Sequence, residues 1–313
     1  MKLLLTGPQG QLGQALQAQL AAGLAGTRVE LHALGREQLD LADAQACRAA
    51  VLALQPDWVL NAGAYTAVDR AEHEPELARA VNALAPQAFA EALAALGRGR
   101  LLQLSTDFVF NGAQGHPYAP APLGPGPGQA LGVYGQTKAQ AEQAVLAQLG
   151  AAGRVHVLRT SWVYGPVGRN FCLTMLRLHR ERAASGQPLA VVADQVGCPT
   201  ATSGPAGLAA ACVRLIAQVS AQQPVPALLH WSDAGAASWY DFAVAIGEEA
   251  VAAGLLPAAA TVQPIVTADY PTPARRPSYG LLDCSSSREA LGLQPLHWRA
   301  ALRHVLAQLA AAA

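Results

Sequence analysis

Thr6-Gly7-Pro8-Gln9-Gly10-Gln11-Leu12-Gly13 lies between an apolar run, Lys2–Thr6, and a segment with Leu12, Leu16 and Leu20 at helical spacing. Its glycines at 7, 10 and 13 form a G-x-x-G-x-x-G run on a strand-to-helix turn. Without a Cβ the backbone can approach a pyrophosphate, which then sits on the helix N-terminus. Glycines in an Ala- and Gly-rich chain also make plain tight turns. The position between strand and helix makes nucleotide binding the better reading.

The rest of the first half keeps the same alternation. Val29–Leu34, Trp58–Asn61, Leu101–Ser105 and Val155–Arg159 read as strands. Asp40 and Asp43 can cap a helix through Leu54, and further helices are expected from about Pro75 to Leu96 and over Tyr134–Leu149. Strands separated by helices of this length predict a parallel sheet with right-handed crossovers, the Rossmann-type doubly wound α/β class. Between Gly112 and Gly132 the order breaks into a loop crowded with Pro117, Pro120, Pro122, Pro125 and Pro127, of a length usually functional or mobile. After Gly165 the alternation weakens, although a helix near Pro205–Val219 and a strand at Ala227–Trp231 still look like sheet pieces. The expected organisation is a dinucleotide-binding domain of residues 1–165 plus about 197–232, interleaved with a smaller α/β substrate-binding lobe of about 166–196 and 233–313. No internal repeat is visible.

Composition removes several function classes. Lys plus Arg and Asp plus Glu each total 21 of 313 residues, so a net charge of zero offers no field for nucleic acid or an anionic membrane. Hydrophobic residues at 52% against 13% charged exclude a disordered chain. No apolar run approaches the ~18 residues of a membrane span, and the first residues are too short for a signal-peptide core. The 5 Cys, at 47, 172, 198, 212 and 284, are scattered and never spaced C-x-x-C, which reads as reduced thiols in a cytosol. The 8 His form no ligand cluster, and H-E-x-x-H, G-x-S-x-G and G-x-x-x-x-G-K-[ST] are all absent, so hydrolase, phosphotransferase and metal-site readings lack support.

Two further stretches carry chemistry. The second strand ends Leu34-Gly35-Arg36, where an NAD-specific site usually has an acid. A cation suits a 2′-phosphate, which favours NADPH. Arg36 is equally readable as a solvated surface residue, so NADH stays open. Asp40 and Leu41 would lie near the adenine, and Ala62, Gly63 and Ala64 are small enough for a cofactor to pass closely. Then Ser105-Thr106-Asp107 at a strand end is followed by Tyr134-Gly135-Gln136-Thr137-Lys138, whose spacing puts Tyr134 and Lys138 on one helix face. A free phenol, with a pKa of about 10, is a poor acid at neutral pH. A nearby ammonium is expected to lower it, and a fall of about 3 pH units would take about 4 kcal/mol. Y-x-x-x-K alone is common on helices. It gains weight here from the hydroxyl-bearing strand end and the glycine turn that precede it.

In this combination the chain resembles the extended short-chain dehydrogenase/reductases and, within them, the dTDP-4-dehydrorhamnose reductases. The resemblance runs nearly end to end. Its more specific segments are Arg159-Thr160-Ser161-Trp162-Val163-Tyr164-Gly165, Asp194-Gln195-Val196-Gly197-Cys198-Pro199-Thr200 and Tyr270-Pro271-Thr272-Pro273-Ala274-Arg275-Arg276-Pro277. It implies a cytoplasmic enzyme that transfers a hydride from NAD(P)H to the C4 ketone of dTDP-4-dehydro-L-rhamnose. Tyr134 would be the general acid, Lys138 would bind the nicotinamide ribose, and Thr106 would hold the ketone oxygen. Gly7, Gly10, Gln11, Leu12 and Gly13 would join the cofactor site. Asp107, Trp162 and Asn170 would hold the sugar, and at least one of Arg275 and Arg276 would contact the diphosphate. A homodimer is allowed. Some members pair through a magnesium site built from glutamates, but the first-helix position here is Ala15; Mg2+ stays open and no residue is assigned to a metal. The chain departs from the family where the Pro/Gly-rich Ala119–Leu131 replaces a shorter acidic stretch, and where Gly132 stands at a position commonly Asn.

Two other readings compete. One is an NADP-binding regulatory subunit like that of methionine adenosyltransferase, against which the complete set Thr106, Tyr134 and Lys138 argues. The other is another nucleotide-sugar epimerase, reductase or dehydratase; dehydratases commonly place Asp-Glu after the catalytic Thr, where this chain has Asp107-Phe108.

Overall fold

Leu3, Leu4 and Leu5 are all fully buried although successive strand side chains point to opposite faces, because helices cover both sides of the sheet to which they belong. The computed structural model describes residues 1–21, 23–24, 26–123 and 130–312. In chain order the first part comprises β1 (Lys2–Thr6), α1 (Gln11–Leu20), β2 (Glu30–Leu34), α2 (Ala44–Leu54), β3 (Trp58–Asn61) and α3 (Val68–Ala71). Next come α4 (Pro75–Arg79), a π-helical turn (Ala80–Leu84), α5 (Ala85–Leu96), β4 (Arg100–Thr106), α6 (Val133–Leu149) and β5 (Val155–Thr160). The later part holds β6 (Val163–Tyr164), α7 (Phe171–Ser185), β7 (Leu189–Val192), β8 (Val196–Gly197), β9 (Thr200–Ala201), α8 (Leu208–Ser220) and β10 (Leu228–His230). It closes with β11 (Ala237–Ser238), α9 (Trp239–Ala252), β12 (Val262–Ile265), α10 (Ser285–Leu291) and α11 (Trp298–Ala312).

Six parallel strands form one sheet in the order β2-β1-β3-β4-β5-β10. The order reverses between β1 and β3, and a crevice for a ligand opens beyond the carboxyl ends of strands at such a point. Leu3, Leu5, Leu60 and Leu102 face α1 and α8, joining Leu16, Leu215 and Ile216 in one core. Leu4, Val59, Leu101 and Val155 face the other way, onto α2, α5 and α6 through Val51, Phe89, Leu93 and Val145. Each such leucine, removed from water, contributes about 1.5–3 kcal/mol. The expected caps divide their roles: Asp43 accepts from the Gln45 and Ala46 amides at the start of α2, whereas Asp40 closes the preceding turn on Ala42 N.

A separate core lies among α7, α9 and α11, built on Met175, Phe242, Ile246, Trp298 and Leu302. Short strands stitch it together, with β6 pairing β9, β7 pairing β12 and β8 pairing β11. Between α9 and α11 the chain returns to the sheet, where Leu291 and Leu293 pack in the first core. All 5 cysteines are free and buried. Among the described residues no helix is long and apolar enough to cross a membrane, and no group of His, Cys, Asp and Glu could hold a metal. Of the Pro/Gly-rich loop, residues 124–129, with Pro125 and Pro127, lie outside the described residues.

Candidate active site

The glycine turn closes where β1 meets α1. Gly7 has φ +64, and a Cβ there would stand 2.7 Å from Gly63 Cα; a Cβ on Gly13 would stand 2.1 Å from the Gly7 carbonyl oxygen. The turn and the Ala62-Gly63-Ala64 segment are therefore pressed together backbone to backbone. Leu41 lies against Gly63, and the Gln9 side chain against Gly35 at the end of β2. Gly10, the N-cap of α1, supplies no side-chain bond, and the first turn holds no acid. The N–H groups of Gln11, Leu12 and Gly13 have no partner within the helix. Such an end suits an anion, and the glycine cradle fits the pyrophosphate of a dinucleotide. Arg36 is 80% exposed and stands 3.7 Å from Asp40, reachable from this crevice.

A polar chain leads from the turn across the sheet. Gly63 N donates to Thr6 Oγ1 (3.1 Å), Thr6 Oγ1 to Asn61 Oδ1 (2.6 Å), and Asn61 Nδ2 to Gln103 Oε1 (2.8 Å). Gln103 Nε2 then donates to Leu104 O (2.8 Å), which also accepts from Lys138 Nζ at 2.6 Å. Thr6, Asn61 and Gln103 lie side by side in register on β1, β3 and β4, so one rung of buried amides joins the turn to the lysine of α6.

Thr106 ends β4 and Tyr134 is the second residue of α6, and their side chains share a hydrogen bond. Thr106 Oγ1 also donates to Asp107 Oδ1 (3.0 Å) and accepts from Phe108 N (3.2 Å). The Phe108 ring meets the Tyr134 ring edge to face, with centroids 5.5 Å apart. Burial pushes the Tyr134 phenol up to about 12, against the lowering bond from Thr106, and Asp107 adds to the rise. Burial pushes Asp107 up to about 7 and Lys138 down to about 8, although Glu142 works to raise Lys138. This corrects the expectation that Lys138 holds the phenol below its ordinary value. The ammonium is turned to the Leu104 carbonyl, and loss of hydration dominates the phenol.

One turn beyond Lys138, Glu142 meets Arg159 of β5 in a buried bidentate pair, Nε–Oε1 2.9 Å and Nη2–Oε2 2.6 Å. Ser105 also donates to Glu142, and Arg159 Nη1 donates to Ala121 O (3.0 Å). Asn82, within the π-helical turn, accepts from Tyr65 N (2.8 Å) and donates to Tyr65 O (3.0 Å) and Thr137 Oγ1 (3.3 Å), clamping the 62–65 segment to α6. Nothing in the Ala-rich sequence around Asn82 marks it; Glu142 carries no signal beyond a charge among apolar neighbours, and Arg159 stands out only as the start of a family-like segment.

The other expected contacts are placed differently. Trp162, at φ +46, is stacked on Trp239 with centroids 3.5 Å apart, and its ring also lies against Gly197, which has no room for a Cβ. A left-handed backbone under so large a side chain stores about 1–3 kcal/mol. Asn170 caps α7, and its Nδ2 donates to Gln11 Oε1 (2.8 Å), Gly165 O and Val167 O, so its amide is engaged within the protein. Arg276 is paired with Asp69 (Nη2–Oδ2 2.8 Å), which holds that carboxyl below its ordinary value, whereas Arg275 extends into solvent. Thr106, Asp107 and Tyr134 thus converge, Lys138 is anchored beside them on Leu104 O, and Arg276 and Asn170 serve as ties between segments.

Three comparisons place this geometry among known proteins. The family model for the RmlD substrate binding domain matches residues 1–311. The dTDP-4-dehydrorhamnose reductase of Aggregatibacter actinomycetemcomitans is 36% identical over 307 residues, 98% of each chain. Among solved structures, a dTDP-4-dehydrorhamnose reductase from Clostridium acetobutylicum is 31% identical and superposes with a TM-score of 0.82 over 99% of both chains. The enzyme from Bacillus anthracis in complex with NADP is 28% identical, with a TM-score of 0.80 over 98% of this chain and 99% of that one.

Proposed function

Because the chain belongs to the RmlD substrate-binding-domain family, with the dTDP-4-dehydrorhamnose reductases as its relatives, we propose that it reduces the C4 ketone of dTDP-4-dehydro-L-rhamnose to dTDP-L-rhamnose. The observation that carries the reading is the hydrogen bond between the Tyr134 phenol and the Thr106 hydroxyl at the end of β4, with the Lys138 ammonium held nearby on Leu104 O, from which buried hydrogen bonds run to the glycine turn. When bound, NADPH supplies the hydride. Gly7, Gly10 and Gly13 would admit the pyrophosphate, with Gln11, Leu12 and Gly13 turning N–H groups toward it. Ala62, Gly63, Ala64 and Leu41 would line the path beside it, and Arg36 with Asp40 the ribose end.

Tyr134 gives its hydroxyl proton to the oxygen at C4 as negative charge gathers there. With its pKa at about 12 the phenol is fully protonated at neutral pH. An alkoxide is far more basic than a phenolate, so the transfer runs downhill without any lowering of the phenol. Thr106 holds the same oxygen by a hydrogen bond that strengthens as charge develops. Lys138, fixed on Leu104 O, would bind the nicotinamide ribose. Asp107 steers the Thr106 hydroxyl, Trp162 walls the sugar, and Arg275 is the free guanidinium for the diphosphate. The second core, around α7, α9 and α11, would form the substrate lobe. The regulatory-subunit reading is not favoured, since the reacting set is complete.

The test is loss of nicotinamide absorbance on addition of dTDP-4-dehydrorhamnose, with NADPH and NADH compared. Tyr134→Phe is expected to lose 10²-fold or more of turnover, as for removal of a general acid (about 10²–10⁴-fold). Undiminished turnover by that variant would overturn the assignment.

A further inference from the structure

The helix that presents Tyr134 begins without a cap of its own. Its N-cap is Gly132, which makes no side-chain bond, and its first turn contains no acid. The Glu72 carboxylate, next to the end of α3, occupies that place: Val133 N donates to Glu72 Oε1 at 2.8 Å. Gly132 has φ −149 and ψ 174, an extended conformation open to any residue and typical of a capping Ser or Asn. What a Cβ would meet is Glu72 alone, with Oε1 at 2.5 Å and Cδ at 3.5 Å. A side chain at this position is opposed by the neighbouring carboxylate, which would have to swing aside, and not by the backbone.

We infer that Glu72 is a positioning residue for the proton donor: it replaces a local cap on α6 and fixes the first turn, on which Tyr134 is the second residue. The inference rests on the reading of Tyr134 as the acid. A carboxylate there satisfies one orphan N–H and also complements the positive end of the helix. Lys138 lies more than one turn further along and is anchored separately on Leu104 O, so loosening the first turn displaces the phenol while leaving the cofactor contact in place. The same segment carries Asp69, tied to Arg276, so the helix start is held from an element that also touches the 271–277 loop.

The experiment compares Glu72→Ala, Gly132→Ala, Gly132→Ser and Glu72→Ala/Gly132→Ser with the parent. Glu72→Ala removes the acceptor, and Gly132→Ala displaces it without supplying another. Each is expected to lower kcat about fivefold, the usual worth of an N-cap, with the Kd for NADPH unchanged. Each should also speed hydrogen exchange at the amides of residues 133–137. Serine at 132 brings its own acceptor, so Gly132→Ser and the double variant should both return to within about twofold of the parent. Alanine and serine at one position then act in opposite senses, which general loosening of the fold would not produce. Exchange in Glu72→Ala identical to the parent, or a double variant as impaired as Glu72→Ala, would overturn the inference. The exchange measurement needs no substrate, so it reads the cap even where the proposed reaction fails.

Discussion

Replacing Glu142 by Gln tests how strongly the buried ion pair holds the reacting lysine in place. Arg159 is 0% and Glu142 1% exposed, so the variant leaves a guanidinium with no counter-charge and turns an amide N–H2 toward it. Breaking a buried pair from one side costs about 3–5 kcal/mol. For a chain of this length, about 2 °C of melting temperature corresponds to each kcal/mol, so a fall of about 6–10 °C is expected. The same carboxylate raises Lys138 against burial, so the variant should push that amine further down from about 8 and weaken NADPH binding most at mildly alkaline pH. Far-ultraviolet circular dichroism during heating gives the first quantity, and nucleotide titration across pH gives the second. Arg159→Met/Glu142→Leu, which removes both charges, should melt well above Glu142→Gln, because the penalty comes from the orphaned charge more than from the lost attraction. A single variant melting within about 2 °C of the parent, or a double variant melting as low as the single, would refute the reasoning.

Turnover should fall as pH rises through about 7, where Asp107 ionises and draws more strongly on the hydroxyl that Thr106 donates to it; Asp107→Asn, which cannot ionise, should flatten the pH–rate profile. Stability has its own pH dependence from the same cause. Asp107 and Asp233 bind protons in the native state between 3.8 and about 7 that the unfolded chain releases, so melting temperature should decline across that window, less so in Asp233→Asn. Gly13→Ala, whose Cβ would lie 2.1 Å from a backbone oxygen, should abolish measurable NADPH binding in titration calorimetry. Arg36→Ala should raise KM for NADPH about tenfold while leaving that for NADH unchanged, as expected for one charge-assisted contact with a 2′-phosphate.

Most of the sheet is legible in the sequence. Lys2–Thr6 and Trp58–Asn61 agree to the residue, and the strands read at 29, 101, 155 and 227 agree to within one at each end, because apolar runs between helices suit the strands of a parallel sheet covered on both faces. The glycine turn and the Tyr134/Lys138 spacing are also legible, since both are local patterns. What escapes is set by partners distant in the chain. Spacing places Lys138 on the face of Tyr134 but leaves open where four flexible methylenes end, and the Leu104 carbonyl decides that. Nothing near Gly132 announces Glu72, and nothing near Trp162 announces Trp239. The lowering of the phenol pKa expected from a neighbouring amine is overtaken by burial, which only the packed structure reveals.

The π-helical turn at Ala80–Leu84 has a consequence for insertion and deletion. A stretch closed by i→i+5 bonds holds one residue more than regular α geometry would between the same two ends. Excising a single alanine there would let the rod rewind into ordinary turns with its hydrophobic face intact. Asn82 would then swing by about 100° around the axis, and its amide would leave both the Tyr65 backbone and Thr137. A lineage could lose that one codon, keep a well-folded protein, and still misplace the wall of the nucleotide crevice.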